Sequence, residues 1–234
     1  MLDKRGNSHT VERIALGERS INLFSKENIQ ALLGDREFVG QEWISYLNRS
    51  RIGYYLRIRN NFLIQDPRTG KQVVAARKFE NLPLGEQRVI NRKHLVNGQL
   101  CYLSASKVKK KEGKPELPII ISFQEPEKAK QIYKERWQIE TAFKALKSSG
   151  FNIEDSHLTD IKTIWKIVIH CDDCLCLGVC GGIYIHQKIK KIRTLKHGYR
   201  AKSFVKYGLE AIEYVMLNPY AKTEYDGFEI LSCS

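Results

Sequence analysis

Ser122 to Gly150 reads SFQEPEKAKQIYKERWQIETAFKALKSSG. Within it Arg136, Glu140 and Lys147 follow Tyr133 at offsets of 3, 7 and 14 residues. At about 100° per residue, these offsets fall within roughly 60° of one another on a helix, so four polar groups share one edge. Ile132, Ile139, Ala142, Phe143 and Leu146 make an apolar stripe beside that edge, while Lys134, Gln138 and Thr141 fall opposite it, where they can face water. The expected helix lies half on a core and presents one carboxylate between cations. Ser122 with Glu125 can form a capping box, Pro126 suits a first turn, and Gly150 can take the left-handed conformation that stops a helix. The same pattern fits an amphipathic helix with a salt-bridged outer face, and spacing alone does not choose between the two.

Toward the N-terminus, Asn7 or Ser8 can cap a helix carrying Val11, Ile14, Ala15, Ile21 and Phe24, and Ile29 to Gly34 reads as a short buried strand ending at Asp35. A carboxylate at the carboxyl end of a strand is well placed for a site, although an Asp there also serves as a turn cap. Gln41 to Ser50 fits a helix burying Trp43 and Leu47. Gly53 to Arg59 alternates, with Tyr54, Leu56 and Ile58 on one face and Tyr55, Arg57 and Arg59 on the other. The two arginines beside a tyrosine can touch phosphate or line a solvated sheet face. From Asn60 to Pro118 the texture is short β-like runs: strands are expected over Val73–Arg77, Gln87–Asn91 and Gln99–Ser104, with Asn97-Gly98 as a hairpin turn. Lys107 to Lys114 reads as a solvated turn or a DNA-backbone contact, and Leu117 to Phe123 as the strand that leads into the signature segment.

Beyond Gly150 a polar connection carries Asp155, His157 and Asp160, and a helix follows with Ile161, Ile164, Trp165 and Val168. Cys171, Cys174, Cys176 and Cys180 invite a metal reading, but on a helix the first two face away from the last two, and the spacing matches no common structural zinc site. They are expected to be buried free thiols. Between His186 and Gly208 eight residues are Lys or Arg and none is acidic, which suits DNA contact. Phe204, Leu209, Ile212, Val215 and Met216 make a final amphipathic helix ended by Asn218-Pro219, and the tail from Tyr220 is expected to be loosely held.

The 234 residues, 42% of them hydrophobic, suffice for a buried core. A formal charge of +13 points to a polyanionic partner, because clustered Lys and Arg bind phosphates by releasing condensed counterions. Six cysteines at irregular positions without a secretory leader suggest a reduced, cytoplasmic setting. The longest nearly apolar run, Leu175 to Ile185, has 11 residues, so no membrane-spanning segment is expected.

The pattern Y-x2-R-x3-E-x6-K at Tyr133, Arg136, Glu140 and Lys147 resembles the C-terminal signature of bacterial DDE transposases of the insertion-sequence-four type, and Asp35-Arg36-Glu37-Phe38 resembles that family's D-R-E-F block. The likeness continues through Gly150-Phe151-Asn152, Glu154-Asp155 and His157 to Asp160, then resumes at His197-Gly198 and Ala201-Lys202-Ser203. It implies an α/β fold: a ribonuclease-H-like catalytic core over 1–59 and 119–185, a β-rich insertion over 60–118, and a basic helical segment over 186–234. It also implies metal-dependent cleavage and strand transfer at transposon ends. Asp35 and Glu140 would act as catalytic metal ligands, Tyr133, Arg136 and Lys147 would contact DNA, and Mg²⁺, with Mn²⁺ as a substitute, would be the ion. The partners so implied are transposon-end and target DNA and a second copy in a homodimer.

In the family a first catalytic Asp lies on an opening strand ahead of the second. Asp3 is the only aspartate before Asp35 in this sequence, and no apolar strand precedes it. The expectation is therefore a chain that begins inside the catalytic domain, lacks the first strands and catalyses poorly. A non-catalytic DNA-binding remnant that occupies transposon ends is the alternative, followed by a metal module on the cysteine cluster.

Overall fold

The computed structural model describes residues 8–109, 113, 115–148, 160–196 and 198–218. The chain forms two compact units, Lys4–Trp137 and a second made of Gln138–Ser234 with Met1–Asp3. The first unit opens with α1 (Thr10–Phe24). Its cap falls at His9, because the Glu12 carboxylate accepts the His9 N–H at 2.5 Å, and the expectation of a cap at Asn7 or Ser8 is corrected accordingly. Ile14 and Ile21 pack against the core, while Val11 and Phe24, about 60° to either side of that line, are exposed.

Next come β1 (Leu32–Gly34), a 3-10 turn over Arg36–Phe38, α2 (Gln41–Arg49) and β2 (Tyr54–Ile58). Seven further strands follow: β3 (Leu63–Gln65), β4 (Gln72–Val74), β5 (Gln87–Val96), β6 (Gln99–Ser106), β7 (Val108–Lys109), β8 (Pro115–Glu116) and β9 (Ile119–Ser122). One sheet of seven strands has the order β1-β2-β9-β6-β5-β3-β4, and β7 and β8 form a separate ribbon. β1 and β2 run parallel, and the other pairs are antiparallel. A parallel pair needs a crossover, and α2 supplies it by burying Trp43, Ile44, Tyr46 and Leu47.

The period-2 rule decides what each face carries. Leu56 lies opposite Ile121, which lies opposite Leu103, and these residues join Tyr54, Ile58, Ile119 and Ala105 beneath α2 in the main core. On the reverse face, Tyr55 and Ile120 pack under α3 (Ala129–Lys134) through Ala129, Ile132 and Tyr133, together with Leu33 of β1. The Asn97-Gly98 turn forms as expected: both residues have positive φ, 47° and 73°, and Val96 pairs with Gln99. The strand expected over Val73–Arg77 stops at Val74, where a 3-10 turn over Ala75–Phe79 buries Ala75 and Phe79 in the core instead of extending the edge.

The single helix expected between Ser122 and Gly150 is replaced by several pieces. Ser122 ends β9 with its hydroxyl buried and unpartnered, and Glu125 takes a left-handed conformation, φ 47° and ψ 52°, so the capping box does not form. The Glu125 carboxylate pairs with Lys128, and its carbonyl accepts the Tyr55 hydroxyl at 3.3 Å. A 3-10 turn over Pro126–Lys128 leads into α3, which ends at Glu135 and Arg136. Their N–H groups bond to Ile132 and Tyr133 carbonyls at 3.0 and 3.2 Å, a tighter repeat than the α-helical one. α4 (Trp137–Ser148) follows. Lys134, Gln138 and Thr141 face water as expected, whereas Ile139 and Phe143, assigned to the apolar stripe, are each 53% exposed. Gly150, Asp155 and His157, like the tail from Tyr220, lie outside the described residues.

In the second unit α4 is followed by α5 (Ile161–Tyr184), whose cap is Asp160 accepting the Thr163 N–H at 2.8 Å. The helix runs on as a π turn over Ile185–Ile189, and α6 (Phe204–Leu217) packs against α5. The crossing is built on glycine: a Cβ at Gly208 would lie 2.0 Å from the Gly178 carbonyl oxygen, and one at Gly182 would lie 2.0 Å from that of Phe204. Gly178 and Gly182 commit one face of α5 to α6; at about 100° per residue Cys176 and Cys180 fall roughly opposite that face, whereas Cys171 and Cys174 lie within about 40° of Gly178, one to two turns before it. Cys171 is half-buried, and Cys174, Cys176 and Cys180 are exposed free thiols, which corrects the expectation of burial. The reading of membrane length is corrected too: Lys162–Ile189 is long and apolar enough to span a bilayer by length and composition, since the helix extends well beyond the apolar run at 175–185.

Candidate active site

The geometry starts from β1. Leu33 pairs with Tyr55 and Gly34 with Leu56, so alternation carries Asp35, one residue past the strand, to the face that holds Tyr55 and Arg57. Gly34 is buried where a Cβ would lie 2.7 Å from Leu56 Cδ2, so the backbone just before Asp35 is pressed onto β2. Asp35 caps the following 3-10 turn, its Oδ1 accepting the Arg36 N–H at 2.9 Å. Its Oδ2 has no hydrogen bond among the described residues.

α3 closes over the same face. Ala129, Ile132 and Tyr133, at helical spacing, meet Tyr55, Ile120 and Leu33, and this packing aims the Tyr133 ring at the sheet. The Tyr133 hydroxyl is buried with no hydrogen-bond partner among the described residues. Its pKa is raised, first by burial and then by the negative charge of Asp35, while Arg136 and Arg57 pull it down. Asp35, Tyr133, Arg136 and Arg57 are therefore within electrostatic reach of one another, although nearly a hundred residues separate the first two. The Arg136 guanidinium lies 5.8 Å from the Tyr133 ring centroid.

Arg57 joins Asp35 and Tyr133 only through the sheet. Alternation had placed it beside Tyr55 as a phosphate candidate, yet it was not joined to Asp35 and Tyr133. One Nη of Arg57 donates to Glu116, which also lies 3.6 Å from Arg36, and the Arg57 Nε–H is buried with no acceptor among the described residues. Glu116 carries no local signal of this role, because its partner Arg57 is 59 residues away. Tyr55 shares the face, and its hydroxyl is pushed up to about 12, chiefly by burial with Glu125 and Glu127 adding to it. A cleft of about 470 Å³ opens at the carboxyl ends of β1 and β2, lined in part by Arg36, Arg59, Asn61 and Phe62.

Glu140 and Lys147 belong to the second unit, seven residues apart on α4 and so on one side of that helix, both exposed. Of the five predicted site residues, the first unit brings together Asp35, Tyr133 and Arg136, and the second carries Glu140 and Lys147. Among the described residues no three His, Cys, Asp or Glu side chains gather as a metal cluster. The donor chemistry nonetheless fits a hard divalent cation at Asp35, whose Oδ2 is available beside two buried donors, Tyr133 Oη–H and Arg57 Nε–H, that lack acceptors. Such donors suit an anionic oxygen.

Residues 3–171 match the family described as "Transposase DDE domain". No curated protein matches the chain.

Proposed function

Because the chain belongs to the transposase DDE domain family, which matches it over residues 3–171, we propose that the Asp35 face is a DNA-strand site of the insertion-sequence-four type. The observation that carries this reading is the pair of buried, acceptor-less donors, Tyr133 Oη–H and Arg57 Nε–H, beside the Asp35 carboxylate. A phosphodiester oxygen completes both. Leaving them unmet costs each about 1–3 kcal/mol, which binding would recover. Arg136 neutralises charge on the same phosphate, and Arg36 and Arg59 extend the cationic path along the cleft.

Divalent ions, Mg²⁺ or Mn²⁺, supply the activation of a water or 3′-hydroxyl and the stabilisation of the leaving oxygen. Within the first unit Asp35 is the carboxylate that would hold such an ion; within the second, on α4, the resemblance assigns Glu140 the role of metal ligand and Lys147 that of neutralising phosphate charge. In this proposal 1–59 and 119–185 form a ribonuclease-H-like core, 60–118 is its β insertion, and the chain acts as a homodimer on bacterial DNA in the cytoplasm.

The test uses the full chain with a labelled duplex carrying a nick. Arg57→Gln and Tyr133→Phe should each weaken binding roughly tenfold, the equivalent of about 1.4 kcal/mol. Asp35→Asn should remove the Mn²⁺ signal seen by electron paramagnetic resonance without weakening DNA binding in metal-free buffer. Binding that ignores both Arg57 and Tyr133 would end the site assignment, and Mn²⁺ binding unchanged by Asp35→Asn would end the metal assignment.

A further inference from the structure

The second unit carries a feature outside the matched residues 3–171: a short basic hairpin between the π turn and α6. Its backbone is pinned at several points. Lys190 N–H bonds to the Ile185 carbonyl at 2.8 Å, and Tyr207 Oη–H donates to the Lys190 carbonyl at 3.1 Å. Ile192, itself buried, donates its N–H to His186 Nδ1 at 2.8 Å. Across the hairpin Thr194 and Arg200 form an antiparallel bridge, Leu195 N–H bonds to the Tyr199 carbonyl, and Ala201 N–H bonds to that of Arg193, both at 2.8 Å. Gly198 closes the tip with φ +83°, a conformation that suits glycine. At the base the Phe204 ring lies edge-on to His186 and 4.0 Å beneath the Arg200 guanidinium.

This frame holds Lys188, Lys190, Lys191, Arg193, Lys196, Arg200 and Lys202 exposed to solvent. There is no Asp or Glu between Asp173 and Glu210, and among the described residues only Lys202 of the seven forms an ion pair, with Glu210. Like charges held together on a rigid loop repel one another, and nothing in the loop's own sequence relieves that repulsion. A regularly charged polyanion does. The pinned backbone also limits the conformational entropy lost on docking.

We propose that the hairpin is a second DNA-binding surface that grips the sugar–phosphate backbone without reading sequence, apart from the Asp35 face. The proposal rests on DNA being the partner. Lys191, Arg193 and Lys196 are exposed, and among the described residues their side chains make no hydrogen bond or ion pair.

The experiment measures the binding of the full chain to duplex and single-stranded DNA across a salt series, for wild type, the triple variant Lys191→Gln/Arg193→Gln/Lys196→Gln, and the single Lys196→Gln. Each phosphate contact contributes about 0.9 to the slope of log K against log salt on duplex DNA, so the triple variant should lose about 2 to 3 of slope. The single variant should lose about 1, and binding by the triple at ~0.1 M salt should be at least tenfold weaker. A variant with Arg in place of Lys191 and Lys196 should keep the wild-type slope. Unchanged slope in both Gln variants overturns the proposal. So does a wild type that ignores DNA of either form, or Gln variants that lose binding to phosphatidylserine vesicles instead. A chain that grips DNA through the hairpin but never cleaves it would sink the metal reading and leave the hairpin standing. A chain that depends on Arg57 and Tyr133 but not on the hairpin would do the reverse.

Discussion

Tyr133→Phe should make the protein more stable and less able to hold DNA. The ring packs against Tyr55, Ile120 and Leu33 and lies 5.8 Å from the Arg136 guanidinium, and Phe preserves both contacts without opening a cavity. The change removes one buried hydroxyl with no hydrogen-bond partner. Leaving such a group unsatisfied costs about 1–3 kcal/mol. The nearby Arg136 and Arg57 charges ease part of that cost, so the net stabilisation should be about 1 kcal/mol. For a unit of this size, that amounts to roughly 3 to 5 °C in melting temperature. Urea unfolding followed by tryptophan fluorescence, with the slope unchanged between variants, gives the stability difference. DNA affinity read on the same preparations should move the other way. A Phe variant destabilised by about 1 kcal/mol or more would mean that the hydroxyl is bonded in solution, and the orphaned-donor argument for the site would fail.

Three further predictions concern the rest of the molecule. Gly208→Ala forces a Cβ to within 2.0 Å of the Gly178 carbonyl oxygen, so α5 and α6 must separate; a loss of about 3 kcal/mol or more, read by thermal unfolding, is expected. Cys101, bonded to the Tyr54 hydroxyl at 3.3 Å, is pushed up to about 11, chiefly by burial. Its folded-state pKa is thus above the unfolded value, so its contribution is intact below pH ~8.5 and is lost as the pH rises toward ~11; unfolding at graded alkaline pH should show a loss that is about 1–3 kcal/mol smaller in Cys101→Ala, the remainder coming from buried tyrosines such as Tyr55 and Tyr133. Finally, Ellman's reagent should modify the exposed Cys174, Cys176 and Cys180 in the native chain and reach Cys101 only on unfolding.

Most of what local chemistry governs was legible in the sequence. The alternation of Tyr54 to Arg59 placed Leu56 inward and Arg57 on the reverse face, Asn97-Gly98 made its hairpin, and Gln41 to Arg49 formed the crossover helix that buries Trp43 and Leu47. These features depend on backbone periodicity and on turn residues a few positions apart, which any sequence displays. Asp35 at the end of a short strand, and Tyr133 and Arg136 in the signature segment, were likewise visible as candidates.

The tertiary structure alone decided which groups meet. Sheet order brings β1 beside β2 and β2 beside β9, and α3 then lies over them, so that Asp35, Arg57 and Tyr133 share one face although they are far apart along the chain. It also decided where the signature helix would break, because the 3-10 bonding at Glu135 and Arg136 depends on how α3 settles on the sheet. Cys176 and Cys180 are exposed because they stand roughly opposite the Gly178–Gly182 face of α5 that α6 covers. Periodicity names the face on which a side chain stands; only the packing of distant segments determines whether that face is covered, and by what.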